Sequence, residues 1–264
     1  MRTPSLHRHE SAFSLVELSI VLVILGLLTG GILAGQSLIR ASELRSVTAE
    51  YQRYTTAMGT FRDKYFAIPG DFNKAVDFGW GAVNGDNDGQ IENTAAAGTN
   101  EISTYWFHLQ QAGLIEGSYT TAANTTLTAG TNTPRSKLGN ASWNVAGLAN
   151  IAITGVGTPV AGATVPAATT FFADAYGNAL LFGTGTNALL PTGVLKAEEA
   201  WNIDTKLDDG RPDQGGVLTL ESQGENDGTR CSNQDSAVTA LAASDYSLAN
   251  TSASACSMVF KTGY

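Results

Sequence analysis

The chain reads Ala-Phe-Ser-Leu-Val-Glu-Leu at residues 12–18, and an apolar stretch follows without interruption. From Leu18 to Ile39 there are 22 residues without a charge. At a helical rise of about 1.5 Å per residue, this stretch can cross a bilayer hydrocarbon core about 30 Å thick. Glu17 stands at its start, and a short leader with Arg2 and Arg8 precedes it. The sequence therefore predicts a membrane-spanning helix near the N-terminus.

The hexapeptide Phe13-Ser14-Leu15-Val16-Glu17-Leu18 resembles the start of type IV prepilins and type II secretion pseudopilins. Those proteins have a short basic leader, a cleavage site after a small residue, and a segment close to Phe-Thr-Leu-Ile-Glu-Leu. The residue before the cut is usually glycine in that family and is Ala12 here. The resemblance covers about residues 8–65. It implies cleavage by prepilin peptidase between Ala12 and Phe13, and N-methylation of Phe13.

The resemblance also implies a fold and a role. The fold is α+β and pilin-like, with a long N-terminal helix packed against a loop-rich antiparallel β-sheet head. The expected parts are a leader, a transmembrane and filament-core helix, an amphipathic helix and an extracytoplasmic head, at residues 1–12, 13–39, 40–68 and 69–264. Such a chain is a structural subunit of a type IV pilus or type II secretion pseudopilus, and not an enzyme.

Location and partners follow from the same resemblance. The chain is expected in the bacterial inner membrane with its N-terminus in the cytoplasm, and later in a periplasmic or cell-surface filament. Expected partners are other filament subunits, prepilin peptidase, the inner-membrane assembly platform, and membrane lipid before assembly. An uncleaved single-span anchor is the alternative. A secretory signal is less consistent, because its apolar core is shorter and its cleavage site follows that core.

Glu17 is the charged residue that needs an explanation. A carboxylate inside an apolar segment costs about 2.5–3.5 kcal/mol on insertion scales and generally has a partner. Cleavage before Phe13 creates an amino group four residues from Glu17. The resemblance implies that, in a stack of identical helices, this amine meets the Glu17 carboxylate of a neighbouring chain and sets the axial register. The alternative is an interfacial Glu17 that reaches back to lipid headgroups.

Beyond Ile39 the pattern becomes amphipathic. Apolar residues recur every three or four positions at Leu44, Val47, Tyr51, Tyr54, Met58, Phe61 and Tyr65. Charged residues lie largely off this stripe, at Arg45, Glu50, Arg53, Arg62 and Asp63. The spacing predicts a helix whose apolar face packs under the head, with a coiled-coil seam as the alternative. Pro69 and Gly70 are expected to end this helix, which would run from about Ser14 to Phe66.

The head contains Asn-Gly-Asp-Asn-Asp-Gly-Gln-Ile-Glu at residues 84–92. Alternating oxygen-bearing side chains, a glycine at the sixth position and an aliphatic residue at the eighth are typical of the first part of a calcium loop. The predicted calcium ligands are Asn84, Asp86, Asp88, Gln90 and Glu92. Ala95 occupies the twelfth position, so a further carboxylate must come from Glu92 or from elsewhere, such as Glu101. A hydrated Asx- and Gly-rich turn is the alternative.

A second acidic stretch lies at residues 204–213 and contains Asp204, Asp208, Asp209 and Asp213. Crowded carboxylates repel one another unless a cation or a basic side chain is present. These four residues are therefore a weaker candidate metal site. Local pairing with Lys206 and Arg211 is the alternative.

The formal net charge of −9 argues against direct nucleic-acid binding through a basic surface. Cys231 and Cys256 are the two cysteines. If the head lies outside the cytoplasm they can pair, whereas two reduced thiols would suit a cytosolic protein better. Because the apolar segment would export the head, the Cys231–Cys256 disulfide is expected.

Enzyme signatures are absent from the sequence: there is no Gly-x-Ser-x-Gly, phosphate loop or His-Glu-x-x-His. The mature chain would retain His108, which a predicted helix from Ser103 to Ile115 would carry as a packed side chain. Trp201 is also expected to pack. Strands are predicted at 150–156, 169–173, 179–182, 217–220 and 257–261. The leading alternative function is a monomeric, single-span membrane-anchored calcium-binding or adhesive domain.

Overall fold

The computed structural model describes residues 14–81, 83–94, 99–121, 127–147, 177–185, 192–221, 231–232, 245–249, 254 and 256–263. Its elements are α1 (Leu15–Tyr65), β1 (Asn93–Thr94), β2 (Thr99–Asn100), α2 (Glu101–Gln111), β3 (Ser142–Gly147), β4 (Asn178–Gly183), α3 (Ala197–Leu207), β5 (Val217–Glu221) and β6 (Cys256–Lys261). A long N-terminal helix and an antiparallel sheet define an α+β protein, consistent with a pilin-like fold. The leader, Ala12 and Phe13 lie outside the described residues.

Two compact units divide the chain, Met1–Ser42 and Glu43–Tyr264. The first contains the apolar part of α1, where large side chains such as Leu22 and Leu33 are 61% and 67% exposed. The helix is long and apolar enough to cross a membrane, with a mean hydropathy of 2.4 over 18 residues, none of them buried. Apolar area of this extent is stable in lipid or against another chain, and not in water.

The second unit buries the other part of α1 under the head, as the stripe predicts. Val47, Tyr54, Met58 and Phe61 are at most 1% exposed. Tyr54 contacts Trp106 and Trp143 edge-on, with ring centroids 5.0 and 5.6 Å away. The apolar stripe is therefore the core face of the head, and not a coiled-coil seam.

Glu50 corrects one detail of that prediction, because it lies on the buried face and not off it. It is 7% exposed. Its Oε1 accepts a hydrogen bond from the Lys137 backbone N–H (3.1 Å), and its Oε2 accepts one from Trp143 Nε1 (2.7 Å). Both carboxylate oxygens therefore tie α1 to the head, which makes burial of the charge tolerable.

The main sheet has four antiparallel strands in the order β3-β4-β6-β5. The predicted strands at 179–182, 217–220 and 257–261 are confirmed as β4, β5 and β6. The predicted strands at 150–156 and 169–173 fall outside the described residues. Strand β3 is not among the predictions because it lies in a stretch rich in Thr, Ala, Gly and Asn, although all six of its residues are buried. Strands β1 and β2 form a separate two-stranded ribbon beside α2.

The helices of the head differ in detail from the prediction. Helix α2 begins at Glu101, two residues early, because Asn100 caps it by accepting a hydrogen bond from the Ser103 N–H (3.3 Å). Ser103 itself lies inside the helix. Helix α3 is absent from the predicted elements, and Trp201 on it is 38% exposed, so the expected packing of Trp201 is wrong.

Candidate functional site

The described part of the N-terminal segment begins with a helix cap. The Ser14 backbone N–H donates to Glu17 Oε2 (2.9 Å), and the Val16 N–H donates to Ser14 Oγ (3.3 Å). These two bonds satisfy backbone donors at the first turn of α1, and they form a variant of the capping box in which Ser14 Oγ accepts from Val16 and not from Glu17. Glu17 therefore has a partner inside its own chain, while its side chain remains on an exposed helix.

The acidic loop, defined here as residues 83–92, lies between the end of α1 and the start of α2. Its carboxylates form two overlapping groups, Asp71 with Asp86 and Glu101, and Asp86 with Asp88 and Glu92. In each group the ligand atoms lie within 4.8 Å of one another. Asp86 belongs to both groups, so five carboxylates converge on this loop. Such oxygen-rich clusters can bind a metal ion.

Two buried carboxylates organise the loop backbone. Asp71 Oδ1 accepts a hydrogen bond from the Asp88 N–H (3.1 Å), and its Oδ2 accepts one from the Gly89 N–H (2.8 Å). Glu101 Oε1 and Oε2 accept from the N–H groups of Asp86 and Glu92, both at 3.1 Å. The loop thus wraps around carboxylates contributed from outside it.

Backbone geometry allows this close approach at Gly85. A Cβ placed there would lie 2.4 Å from the Asp71 backbone, so any side chain would push the loop away. Asn87 adopts a positive φ of 65°, a left-handed conformation that Asn tolerates better than most residues. The Gly85-x-Asn87 pattern is therefore required by the turn itself.

The loop is also anchored to the sheet. Ile91 is fully buried, and its N–H donates to Asn178 Oδ1 (3.0 Å) at the start of β4. Asn178 Nδ2 donates to the Gly89 carbonyl (2.9 Å), and the Gly147 N–H of β3 donates to the Ile91 carbonyl (2.6 Å). The eighth residue of the calcium pattern therefore fixes the loop against the core.

His108 clamps the two ends of this region from α2. Its Nδ1 accepts a hydrogen bond from the Gly70 N–H (3.0 Å), so Nε2 carries the proton and donates to the Val83 carbonyl (2.9 Å). Burial lowers the pKa of His108 to about 4, and the bond to Val83 partly offsets that effect. The expectation of a packed histidine is confirmed.

Burial disfavours the ionised forms of the carboxyl groups at the acidic loop. It raises the pKa of Glu101 to about 8 and that of Asp71 to about 6, against the lowering effect of the backbone bonds. The pKa of Glu92 is also raised, first by burial and then by the charges of Asp88 and Asp86. A bound divalent cation would favour the ionised forms of all these groups.

The fold brings some of the predicted calcium ligands together and directs others elsewhere. Asp86, Asp88 and Glu92 come together, and Glu101 joins them from α2, as the sequence allowed. Asn84 Oδ1 instead accepts a hydrogen bond from the Val76 N–H (3.0 Å). Gln90 Oε1 is buried and has no hydrogen-bond partner among the described residues. Asp71 was missed because it lies outside the loop pattern, directly after Pro69-Gly70.

The second acidic stretch brings Asp204, Asp208 and Asp209 together. Asp204 is buried and accepts hydrogen bonds from the Tyr246 hydroxyl (2.7 Å) and the Gly210 N–H (3.3 Å). Burial raises the pKa of Asp204 to about 7. Asp213 does not join this group and lies 3.7 Å from Arg211, which matches the predicted local pairing for that residue.

Asp208 is largely committed to the backbone. Its Oδ2 accepts hydrogen bonds from the N–H groups of Gly216 and Val217 at the start of β5. Cys231 and Cys256 form the expected disulfide, with Cα atoms 5.2 Å apart. The bonded segment also carries Tyr246 towards Asp204, because the Ser247 N–H donates to the Cys231 carbonyl (2.9 Å). These contacts give the second stretch a structural role, as the backbone bonds of Asp71 and Glu101 do in the acidic loop.

Comparison with known proteins identifies the N-terminal segment. Residues 7–33 match the family model of the prokaryotic N-terminal methylation motif, the prepilin-type cleavage and methylation segment. No curated protein and no solved structure matches the chain. The motif supports a pilin- or pseudopilin-type substrate of prepilin peptidase that is anchored by one N-terminal helix. The motif is typical of structural subunits.

Proposed function

We propose that this chain is a structural subunit of a type IV pilus or a type II secretion pseudopilus, assembled through its N-terminal helix. The observation that carries the proposal is the methylation motif at residues 7–33, which leads into an apolar helix with exposed side chains. Lipid would cover these side chains before assembly, and neighbouring helices would cover them afterwards.

Processing is the first step that the proposal requires. Prepilin peptidase would cut between Ala12 and Phe13 and methylate the new amino group, on the cytoplasmic side of the inner membrane. Mass spectrometry of the N-terminal peptide of the mature chain tests this step. We expect N-methylated Phe13, and we expect it also in the control variant Ala12→Gly, which restores the usual family residue. A retained Met1, or a cut beyond residue 30, would contradict the proposal.

Glu17 would set the register of the filament. Among the described residues its carboxylate accepts one hydrogen bond, from the Ser14 N–H at 2.9 Å. A carboxylate has capacity for more than one donor, so the methylated amine of a neighbouring Phe13 could bind it as well. This charge-assisted contact would be strong in an apolar surrounding.

The head would lie in the periplasm or on the cell surface, with the assembly platform acting on the membrane-embedded helix. The Cys231–Cys256 disulfide supports an extracytoplasmic head, since such bonds persist in oxidising compartments. Protease treatment of spheroplasts tests this orientation. We expect digestion of the head and protection of a fragment that contains residues 13–39.

We also propose that the acidic loop binds calcium in the assembled subunit. The ligands would be the carboxylates of Asp86, Asp88 and Glu92, with Asp71 and Glu101 behind them. Calcium accepts six to eight oxygen ligands, including bidentate carboxylates. The second acidic stretch is the weaker candidate because it groups three carboxylates, Asp204, Asp208 and Asp209, whereas five converge on the acidic loop.

Calcium titration of the purified full-length chain in detergent tests this assignment. At a hundredfold excess over the dissociation constant, a bound ion stabilises the fold by about 2.7 kcal/mol, so the unfolding midpoint should rise. Asp88→Asn should weaken binding at least tenfold, whereas the control Asp209→Asn should leave it unchanged. If Asp209→Asn alone removes binding, the second stretch is the site.

The pH dependence of the calcium-free head gives a further check. The folded pKa of Glu101, about 8, lies above its ordinary value of 4.5, so the folded state binds more protons between them. Stability in chelator should therefore fall as pH rises from about 6.5 to 8, and Asp204 adds the same sign. The titration of His108 changes the stability only below about pH 6.5, because its pKa is lowered from 6.5 to about 4 in the folded state. Calcium bound at the acidic loop should abolish the part of this loss that is due to Glu101 and leave the part that is due to Asp204.

A second candidate function is a monomeric membrane-anchored calcium-binding or adhesive domain. The acidic loop favours it as much as it favours a calcium-binding pilin, because the loop needs no neighbour. The two functions predict different N-termini for the mature chain, and they differ in whether they depend on Glu17. An unprocessed monomer that binds calcium would support the anchored domain.

A further inference from the structure

A pocket lies where α1 ends, inside the second unit. It has a volume of about 540 Å³ and is lined by Arg62, Asp63, Phe66, Asp71 and Asn87, among others. Two carboxylates and one guanidinium border it, so its local charge is negative. The pocket is therefore suited to a cationic side chain.

Phe66 forms an exposed aromatic wall of this pocket. It is 92% exposed and adopts a positive φ of 54°, a left-handed conformation that is uncommon for a bulky residue. Its N–H donates to the Arg62 carbonyl (2.8 Å), which ends the helix. A glycine would end the helix at lower cost. The benefit of a phenylalanine here must come from something that covers the ring.

Charge is segregated along the chain in a way that indicates the partner. Residues 65–264 contain 8 Lys and Arg against 19 Asp and Glu, whereas residues 40–64 contain 5 against 3. Four of these five basic residues have partners: Arg40 and Arg62 are engaged, Arg53 lies over the Tyr54 ring (4.8 Å), and Lys64 lies over the Tyr65 ring (5.0 Å). Arg45 is exposed and has no partner among the described residues.

Arg45 cannot reach the pocket of its own chain. It lies 17 residues before Arg62 on the same helix, a distance of about 26 Å at the standard helical rise. An Arg side chain spans only a fraction of that length. A second copy that lies parallel and is displaced along the helix axis brings the two together.

We propose that the pocket formed by Asp63, Phe66 and Asp71 receives Arg45 of a second copy of this chain. The guanidinium would pair with the exposed Asp63 carboxylate and stack on the Phe66 ring. Arg62 opposes this contact, and Asp71 is buried with both oxygens bonded to the loop backbone, so the exposed Asp63 carboxylate and the Phe66 ring would hold the guanidinium. The inference rests on the proposed filament, because parallel copies displaced along α1 are what such a filament provides.

Charge exchange in the full-length chain tests the contact. The variants are Arg45→Asp, Asp63→Arg, and the two together, with Arg135→Asp as a control that reverses an exposed charge elsewhere in the head. We expect each single reversal to lower filament yield about tenfold and the exchange to restore it to within about twofold. The control should assemble like the wild type.

Cysteine cross-linking provides an independent readout, because the native cysteines are already joined. Co-expressed Arg45→Cys and Asp63→Cys chains should form an oxidised dimer in filaments. Normal yield from both single reversals, failure of the exchange to restore a lost yield, or filaments without the dimer would each overturn the inference. If the wild-type chain forms no filaments, or forms filaments that do not depend on Glu17, the proposed function is overturned, and the inference with it.

Discussion

Helix α1 carries a carboxylate in each of its halves, and the two have opposite surroundings. Glu50 is 7% exposed, and both of its oxygens accept hydrogen bonds from the head, at 2.7 and 3.1 Å. Glu17 lies among exposed apolar side chains and accepts one bond, from the adjacent Ser14. Folding of the head supplies hydrogen-bond donors to both oxygens of Glu50, whereas Glu17 can still accept a hydrogen bond from a further donor.

The difference assigns separate tasks to the two halves. The half that begins at Glu43 supplies the core of the head, so its substitutions should change stability. The large apolar side chains of the other half are exposed, so their substitutions should change assembly. Four experiments test whether this division holds.

The largest effect is expected from Glu17→Leu, which removes the charge that would pair with a neighbouring amine. Filaments should be lost, while the denaturation midpoint of the head in detergent should stay unchanged. Glu17→Gln can still accept the Ser14 N–H but lacks the charge, so it should also fail to assemble. Electron microscopy of sheared preparations measures the yield, and normal Glu17→Gln filaments would show that the cap matters and the charge does not.

Met58→Ala should give the next largest effect, on stability. Met58 is 1% exposed, and its truncation should lower the free energy of unfolding by about 2–5 kcal/mol. The matched control is Leu25→Ala in the other half, where the side chain is 51% exposed. Denaturant titration, followed by the fluorescence of Trp106 and Trp143, measures both. Equal destabilisation by the two variants would show that the two halves of α1 do not differ in their contribution to stability.

Glu50→Gln should have a smaller effect of the same kind. Both partners of Glu50, Trp143 Nε1 and the Lys137 N–H, are donors, and the amide NH₂ of Gln would face one of them. We expect a loss of about 1–3 kcal/mol in the same denaturant titration, with filament yield unaffected where the head stays folded. A head as stable as the wild type would show that the buried carboxylate is replaceable.

Ser14→Ala should have the smallest effect. It removes the hydroxyl that accepts the Val16 N–H at 3.3 Å, and leaves the Glu17 bond in place. Amide exchange at Val16 should become a few times faster, with yield and head stability unchanged. A loss of filaments in this variant would mean that the capping box orients Glu17 for assembly.

The regular part of the fold could be predicted from the sequence. The stripe from Leu44 to Tyr65 repeats every three or four residues, so the helix follows from local periodicity, and α1 ends within one residue of the predicted bound. The burial of Glu50 could not be predicted from this periodicity, because its carboxylate is stabilised on the core face by hydrogen-bond donors 87 and 93 residues away. No local pattern encodes those donors.

The carboxylates at the acidic loop likewise include some that local spacing predicts and some that it does not. Alternating oxygen side chains identified Asp86, Asp88 and Glu92, which depend on the spacing within one turn. Asp71 and Glu101 come from the flanking segments, and only tertiary packing brings them under the loop. Helix α3 was missed because its buried positions, Ala197, Ala200 and Ile203, form a narrow face interrupted by charged residues.

The position of β6 has a consequence for how the chain matures. This strand contains residues Cys256–Lys261 and lies between β4 and β5 in the sheet. The sheet therefore lacks its central link until translation has passed residue 261, and loop closure over so long a separation is slow. The anchor helix is therefore translated well before the sheet can close, so a truncation that removes β6 should prevent the head from folding.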